Sequence, residues 1–125
     1  MARTRFEAGH YADAVEAVFK EINVVVKRVW LAAGKPEKDG SDLMFSAFAH
    51  TAPVVRLVSG STLTDTSMQQ GYMHLFAGAM LAIRNPKAHE NVEIERDRGI
   101  LFLAFASLLM GKLDEAGCLP SHDAD

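Results

Sequence analysis

Over residues 6–33 the apolar positions Tyr11, Val15, Val18, Ile22, Val25 and Val29 recur in steps of three and four, which gathers them into one stripe on a helix. Asp13, Glu16, Lys20, Asn23 and Lys27 fall on the opposite, polar face. Valine is stiff at its branch point and lowers helix propensity, so packing of the stripe has to hold this helix. Gly34, Lys35 and Pro36 stop it.

A polar loop over residues 35–40 leads to Leu43, Met44, Phe45, Ala47 and Phe48, a short apolar helix with Ser41 or Asp42 as its cap. It ends before Pro53. Val54, Val55, Arg56, Leu57 and Val58 alternate poorly and read as a brief strand or an extended packing segment. Ser59, Gly60 and Ser61 form a turn. Thr66 with Gln69 has the spacing of a capping box for a third helix. Tyr72, Leu75, Phe76, Ala79 and Ile83 form its main apolar face, and Met73, Ala77, Met80 and Leu81 cover much of the remainder. A helix apolar nearly all round needs burial on more than one side. Gly71, Gly78 and Ala82 add a narrow strip of small residues, where another helix approaches closely, within this chain or from a second copy. A fourth helix is expected over residues 91–116, with charged first turns and an apolar second half at Ile100, Leu101, Leu103, Ala104 and Leu108. Gly99 is costly inside a helix and predicts close packing or a kink. Gly117 ends the helix, and residues 119–125 read as a flexible tail. The pattern is all-α: one domain over residues 1–125, a bundle of four main antiparallel helices with a short extra helix.

A chain of 125 residues can bury a real core. The single cysteine, Cys118, excludes an intrachain disulfide and a cysteine zinc cluster. The start, Met1-Ala2-Arg3-Thr4-Arg5, lacks an apolar signal core. The apolar run at residues 100–110 is too short for a bilayer. These features give the expectation of a cytoplasmic protein with no membrane partner. A net charge of −3 argues against nonspecific coating of nucleic acid. A small RNA site needs only a few local cations, and Arg84, Lys87, Arg96 and Arg98 are the candidates. Glu90, Glu93 and Glu95 lie among them and blunt the field, so binding should be weak and salt-dependent.

Chemistry concentrates in Arg84-Asn85-Pro86-Lys87-Ala88-His89. Arginine offers a fixed planar cation suited to phosphate. Histidine moves protons near neutral pH. Asn85 precedes proline and is biased away from the α region, so the third helix should stop near Asn85 and another element start at or after Pro86. The same residues also make a plain helix stop. Metal catalysis is disfavoured: the five histidines lack paired metal spacing, and His89 and Glu90 with Glu93 are the nearest approach. Gly78 is isolated, so no phosphate loop exists. What is left is acid–base chemistry with an electrostatic clamp, which needs no cofactor. His89 is the candidate acid or base, Arg84 the group that holds phosphate oxygens, and Asn85 orients the substrate or His89. His74, opposite the main apolar face, is either an interface contact or a further site group.

These six residues resemble the Arg-x4-6-His signature of the HEPN superfamily, with the polar residue after arginine that its ribonuclease members favour. The string from Gly71-Tyr72-Met73-His74-Leu75-Phe76-Ala77-Gly78-Ala79 into the Arg84–His89 motif is similar to one bacterial and phage branch found near abortive-infection and restriction systems. Gly9-His10-Tyr11 with Ala14-Val15, and Leu43-Met44 with Ala47-Phe48, also fit it. The resemblance implies a HEPN-like bundle, catalytic Arg84, Asn85 and His89, and RNA contacts from Lys87 and Arg96. It implies a homodimer in which two motifs face one cleft. The implied function is a metal-independent endoribonuclease in phage defence or a toxin, with an antitoxin or other defence protein as a further partner. The competing expectation is a noncatalytic dimerisation module partnering a nucleotidyltransferase or a restriction system.

Overall fold

The computed structural model describes residues 2–84 and 96–120, with side chains from His10 onward. The all-α expectation holds. Among the described residues there are four α-helices and no strand: α1 (Ala2–Ala32), α2 (Gly40–Ala47), α3 (Leu63–Ala79) and α4 (Arg96–Glu115). A π-helical turn, Met80–Arg84, continues α3. The long α1 packs on α4, α2 packs on α3, and the π turn touches α1, α2 and α3.

The core of α1 is Val15, Phe19, Ile22, Val25, Val26 and Trp30. Val18 and Val29 are only partly buried against it. The buried stripe is therefore rotated from the predicted one, because α1 is covered from two sides, by α4 and by α2 with the π turn. The same rotation draws Asn23, assigned to the polar face by spacing, down to 3% exposure. Phe19 meets Phe105 of α4, and Phe48 at the end of α2 meets Phe76 of α3 with ring centroids 4.5 Å apart. Each buried aromatic or aliphatic side chain contributes about 1.5–3 kcal/mol.

Helix α3 starts earlier than predicted. Its capping box is Thr62 with Asp65: the Asp65 N–H donates to Thr62 Oγ1 at 3.1 Å, and the Thr62 N–H donates to Asp65 Oδ2 at 3.1 Å. Gln69 is not a cap but a buried bridge. Its Oε1 accepts the Leu57 N–H, while its Nε2 donates to the carbonyls of Phe48 and Val55. Residues 54–58 are neither a strand nor extended but a bent connection: the Val54 and Val55 N–H groups both donate to the Ala47 carbonyl, and Gln69 holds the chain beyond them. Burying Gln69 turns α3 so that Phe76, Ala77, Ala79, Met80 and Ile83 face the core and Leu75 faces out.

On α4 the predicted apolar face is also corrected. Gly99, Ala106, Leu109 and Leu113 are buried, whereas Ile100, Leu101 and Leu108 are exposed. Apolar residues surround this helix, so period alone could not choose a side. The choice is made at Gly99, where a Cβ would lie 2.8 Å from Tyr11 Cβ. The close packing expected of Gly99 is what the fold shows. At the other end Gly117, with φ +78°, closes α4: the Cys118 N–H donates to the Leu113 carbonyl at 2.9 Å. Cys118 and Leu119 then pack on the core. Burial pushes the Cys118 thiol up, opposed by Arg28.

Candidate functional site

Arg84 is the last residue of the π turn. A π turn adds a residue to the helical repeat and frequently accompanies functional sites. Met80 and Ile83 are its buried residues, so the core fixes the turn and thereby the point from which the Arg84 side chain departs. That side chain is 26% exposed, and its Nη2 stands 3.6 Å from Asp39 Oδ2. Its Nη1 lies above the backbone of Gly40, 3.7 Å from where a Cβ would be.

The residues around Arg84 come from α1 and the loop after it. Asn23 Nδ2 donates to Asp39 Oδ1 at 2.5 Å, and Asn23 Oδ1 accepts the Gly40 N–H at 3.0 Å. Lys27 Nζ pairs with Glu37 Oε1 at 3.0 Å, and Trp30 Nε1 donates to the Pro36 carbonyl at 2.7 Å. Positions 23, 27 and 30 share one helix face. They hold loop residues 39, 37 and 36 in reverse order, so the loop is laced down along α1. Asp39 is the N-cap residue of α2, with extended backbone, but its side chain makes no cap bond. The predicted cap, Ser41 or Asp42, is not used either; both lie inside α2.

The Asn23 amide is the main cause that holds the Asp39 carboxyl below its usual range, with Arg84, Lys27 and, least, the Gly40 N–H adding and burial opposing. The Glu37 carboxylate holds the Lys27 ammonium above its usual range, with a lesser contribution from Asp39 and opposition from burial and Arg84. Two cations, Lys27 and Arg84, therefore interleave with two carboxylates. Such a cluster can present a guanidinium to an anion without gathering a strong net charge.

Of the predicted site residues, Arg84 and Arg96 are described. Arg96 opens α4 and is exposed, as is Arg98. Asn85, Lys87 and His89 lie outside the described residues. His74 is exposed and stands edge-on to Phe45, with ring centroids 5.8 Å apart. His50 is exposed and within 3.2 Å of Gln70. Asp39 and Lys27, with Asn23 and Glu37 held to them in turn, are the surroundings of Arg84 that spacing did not find. One signal was present: Asn23 stands alone among Ile22, Val24, Val25 and Val26, the setting of an amide with a buried task.

Two surface hollows lie elsewhere. One of about 610 Å³ is lined by residues including Arg56, Ser59, Lys112 and Glu115. One of about 450 Å³ between α3 and α4 is lined by Met68, Gly71, Tyr72, Leu75 and Leu108. Gly71 and Gly78 have nothing within 4 Å of where a Cβ would stand. Among the described residues, then, none packs directly on Gly71 or Gly78. Among the described residues no helix is long and apolar enough to cross a membrane.

The chain belongs to the family described as "Protein of unknown function (Hypoth_ymh)", whose model matches residues 1–113. The match includes Arg84, Asn85, Lys87, His89 and Arg96 and stops before the Gly117 turn. Neither a curated protein nor a solved structure matches the chain.

Proposed function

We propose that this chain is a metal-independent endoribonuclease of the HEPN type that acts in the cytoplasm, in phage defence or as a toxin. The observation that supports it best is the setting of Arg84. A partly exposed guanidinium sits at the end of a π turn, against a half-exposed carboxylate that an incoming phosphate can replace. In this reading the RNA supplies its own nucleophile. His89 of one subunit takes the proton of the 2′-OH, whose oxygen attacks phosphorus. The bond from phosphorus to the 5′-oxygen breaks, and His89 of the second subunit gives that oxygen a proton. Arg84 holds the phosphate oxygens as charge develops on them, Asn85 orients the substrate or His89, and Lys87 and Arg96 hold neighbouring phosphates.

A homodimer follows from this reading, because one motif supplies one histidine. The exposed face of α3 suits it. Leu75 and Leu81 project beside Gly71 and Gly78, and Leu108 of α4 continues the apolar surface. Leucines of one copy fit the glycine positions of the other about a two-fold axis. Leu81→Glu should turn a dimer into a monomer in light scattering at micromolar concentration. A wild-type monomer there counts against the arrangement.

A second reading has support in the same pair. Arg84 already has a carboxylate partner, as a purely structural arginine would. The chain would then be a noncatalytic module, pairing through α3 with itself and with a nucleotidyltransferase, a restriction protein, an antitoxin or another defence protein. Labelled RNA incubated with protein and EDTA separates the two. The endoribonuclease leaves 2′,3′-cyclic phosphate ends, and His89→Ala abolishes them. Equal cleavage by His89→Ala, or none by the wild type, selects the module.

A further inference from the structure

We propose that Asp39 is a positioning residue for Arg84: withdrawn from capping α2 and held by the buried Asn23 amide, its carboxylate aims the guanidinium and gives it up to an incoming phosphate group. The inference rests on reading Arg84 as the phosphate-binding group.

The first ground is a role left unfilled. Aspartate at a helix N-cap ordinarily accepts the backbone N–H of the second or third residue of the helix. Asp39 has the position and the extended backbone, φ −146° and ψ 159°, but makes no side-chain cap bond, and its only backbone contact there, with the Gly40 N–H, is the weakest of the influences on its carboxyl. One oxygen takes the Asn23 N–H at 2.5 Å, and the other stands 3.6 Å from Arg84. The N–H of Gly40 donates chiefly to Asn23 Oδ1, at 3.0 Å. A second residue thus serves the start of α2, and the carboxylate is left for the guanidinium.

The second ground is rigidity on one side and looseness on the other. Asn23 is 3% exposed and sits on the long helix α1, so packing fixes its amide plane and with it the direction of the carboxylate. The pair with Arg84 is long, and the Asp39 side chain is 52% exposed. Such pairs hold a geometry but bind weakly. A phosphodiester making two charge-assisted bonds to the same fork is the stronger partner. Asp39 therefore does two opposed things. It keeps Arg84 from wandering, which favours turnover, and it competes with the ligand anion, which weakens binding.

The test uses the whole protein with Asp39→Asn, which removes the charge and keeps an oxygen for Asn23, and Asp39→Ser, which can cap α2 but cannot pair with Arg84. The Nε–H proton of Arg84 is followed by NMR, assigned by its loss in Arg84→Lys, during titration with inorganic phosphate. Both variants should show faster guanidinium rotation than wild type. Their phosphate midpoints should fall about two- to fivefold, the range of one exposed ion pair. On cleavable RNA, KM should fall by a similar factor while kcat falls on the order of tenfold, the mark of a misaimed group. An unchanged Arg84 signal or phosphate midpoint in Asp39→Asn overturns the proposal. So does an Asp39→Ser variant that behaves as wild type, which reduces Asp39 to a helix cap. A wild type that cleaves no RNA removes the endoribonuclease reading alone, since rotation and phosphate midpoint are measured without it.

Discussion

Gly99 lies so close to Tyr11 that a Cβ on Gly99 would stand 2.8 Å from the Tyr11 Cβ and 3.1 Å from its ring. This approach sets the distance between α1 and α4. Gly99→Ala should destabilise the protein by about 1–3 kcal/mol, the range for overfilling a packed contact, although alanine alone favours a helix by about 1 kcal/mol. Gly111→Ala is the control. It lies on the same helix with none of the described residues within 4 Å of the added carbon, and it should be neutral or stabilising. Urea midpoints for the two variants check the contrast. A Gly99→Ala protein as stable as Gly111→Ala would mean that the helices separate at no cost.

Gln69 should be among the least replaceable polar residues. Its buried amide satisfies the backbone at Phe48, Val55 and Leu57 at once, so it joins the end of α2 to a segment with no strand partner. Gln69→Leu keeps the volume and strands three backbone groups. The expected loss is about 2–4 kcal/mol, with buried unsatisfied groups costing about 1–3 kcal/mol each and partial relaxation toward water. Amide hydrogen exchange at Leu57 gives a local reading, and it should become fast relative to the rest of the core. Protection at Leu57 equal to wild type contradicts the bridge.

The corrected faces of α3 and α4 have a common physical origin. Periodicity located every helix, because steps of three and four appear wherever one side of a helix is apolar. It did not locate the buried face of α3 or α4, because those helices are apolar nearly all round. There the choice fell to single residues: Gly99 through its contact with Tyr11, and Gln69 through its three bonds. The site divides in the same way. Arg84 was legible because arginine, asparagine, proline and histidine are close in sequence. Asn23 and Asp39 were not, because what joins them to Arg84 is the folding of a loop back along α1. The lone amide in a valine-rich run was the visible sign of that fold.

Acid should act on Asp39 in a definite direction. Asn23 foremost, then Arg84 and Lys27, hold its carboxyl below the ordinary value of 3.8. The folded protein thus takes up this proton less readily than the unfolded chain. The ionised carboxylate adds stability above the ordinary value, and the addition fades as pH falls through the lower folded value. The difference in unfolding free energy between wild type and Asp39→Asn should be level from roughly pH 5 to 8 and shrink in more acid solution. The side chain is half-exposed, so the difference should stay under about 1 kcal/mol. Denaturant titrations across pH provide the check, and a difference that widens in acid would reverse the sign argued here.

The proposed chemistry demands that Arg84 and His89 be separable from folding. The Arg84 guanidinium is partly exposed and its ion pair with Asp39 is loose, so Arg84→Ala should cost less than about 1–2 kcal/mol of stability. The loss includes the contact of its guanidinium with Gly40. Its effect on RNA cleavage should be far larger, about 10²–10⁴-fold, the scale of a lost proton-transfer or charge-stabilising group. Arg84→Lys should not restore the rate, because lysine lacks the planar fork that spans two phosphate oxygens. His89→Ala should lose a similar factor, and 2′-O-methyl RNA should resist the wild-type protein, since the attacking hydroxyl is blocked. EDTA should leave the rate unchanged. Matched circular dichroism melts and cleavage rates for the three variants decide the matter. An Arg84→Ala protein that melts as wild type and still cleaves RNA at the wild-type rate would leave the guanidinium a structural partner of Asp39 and nothing more.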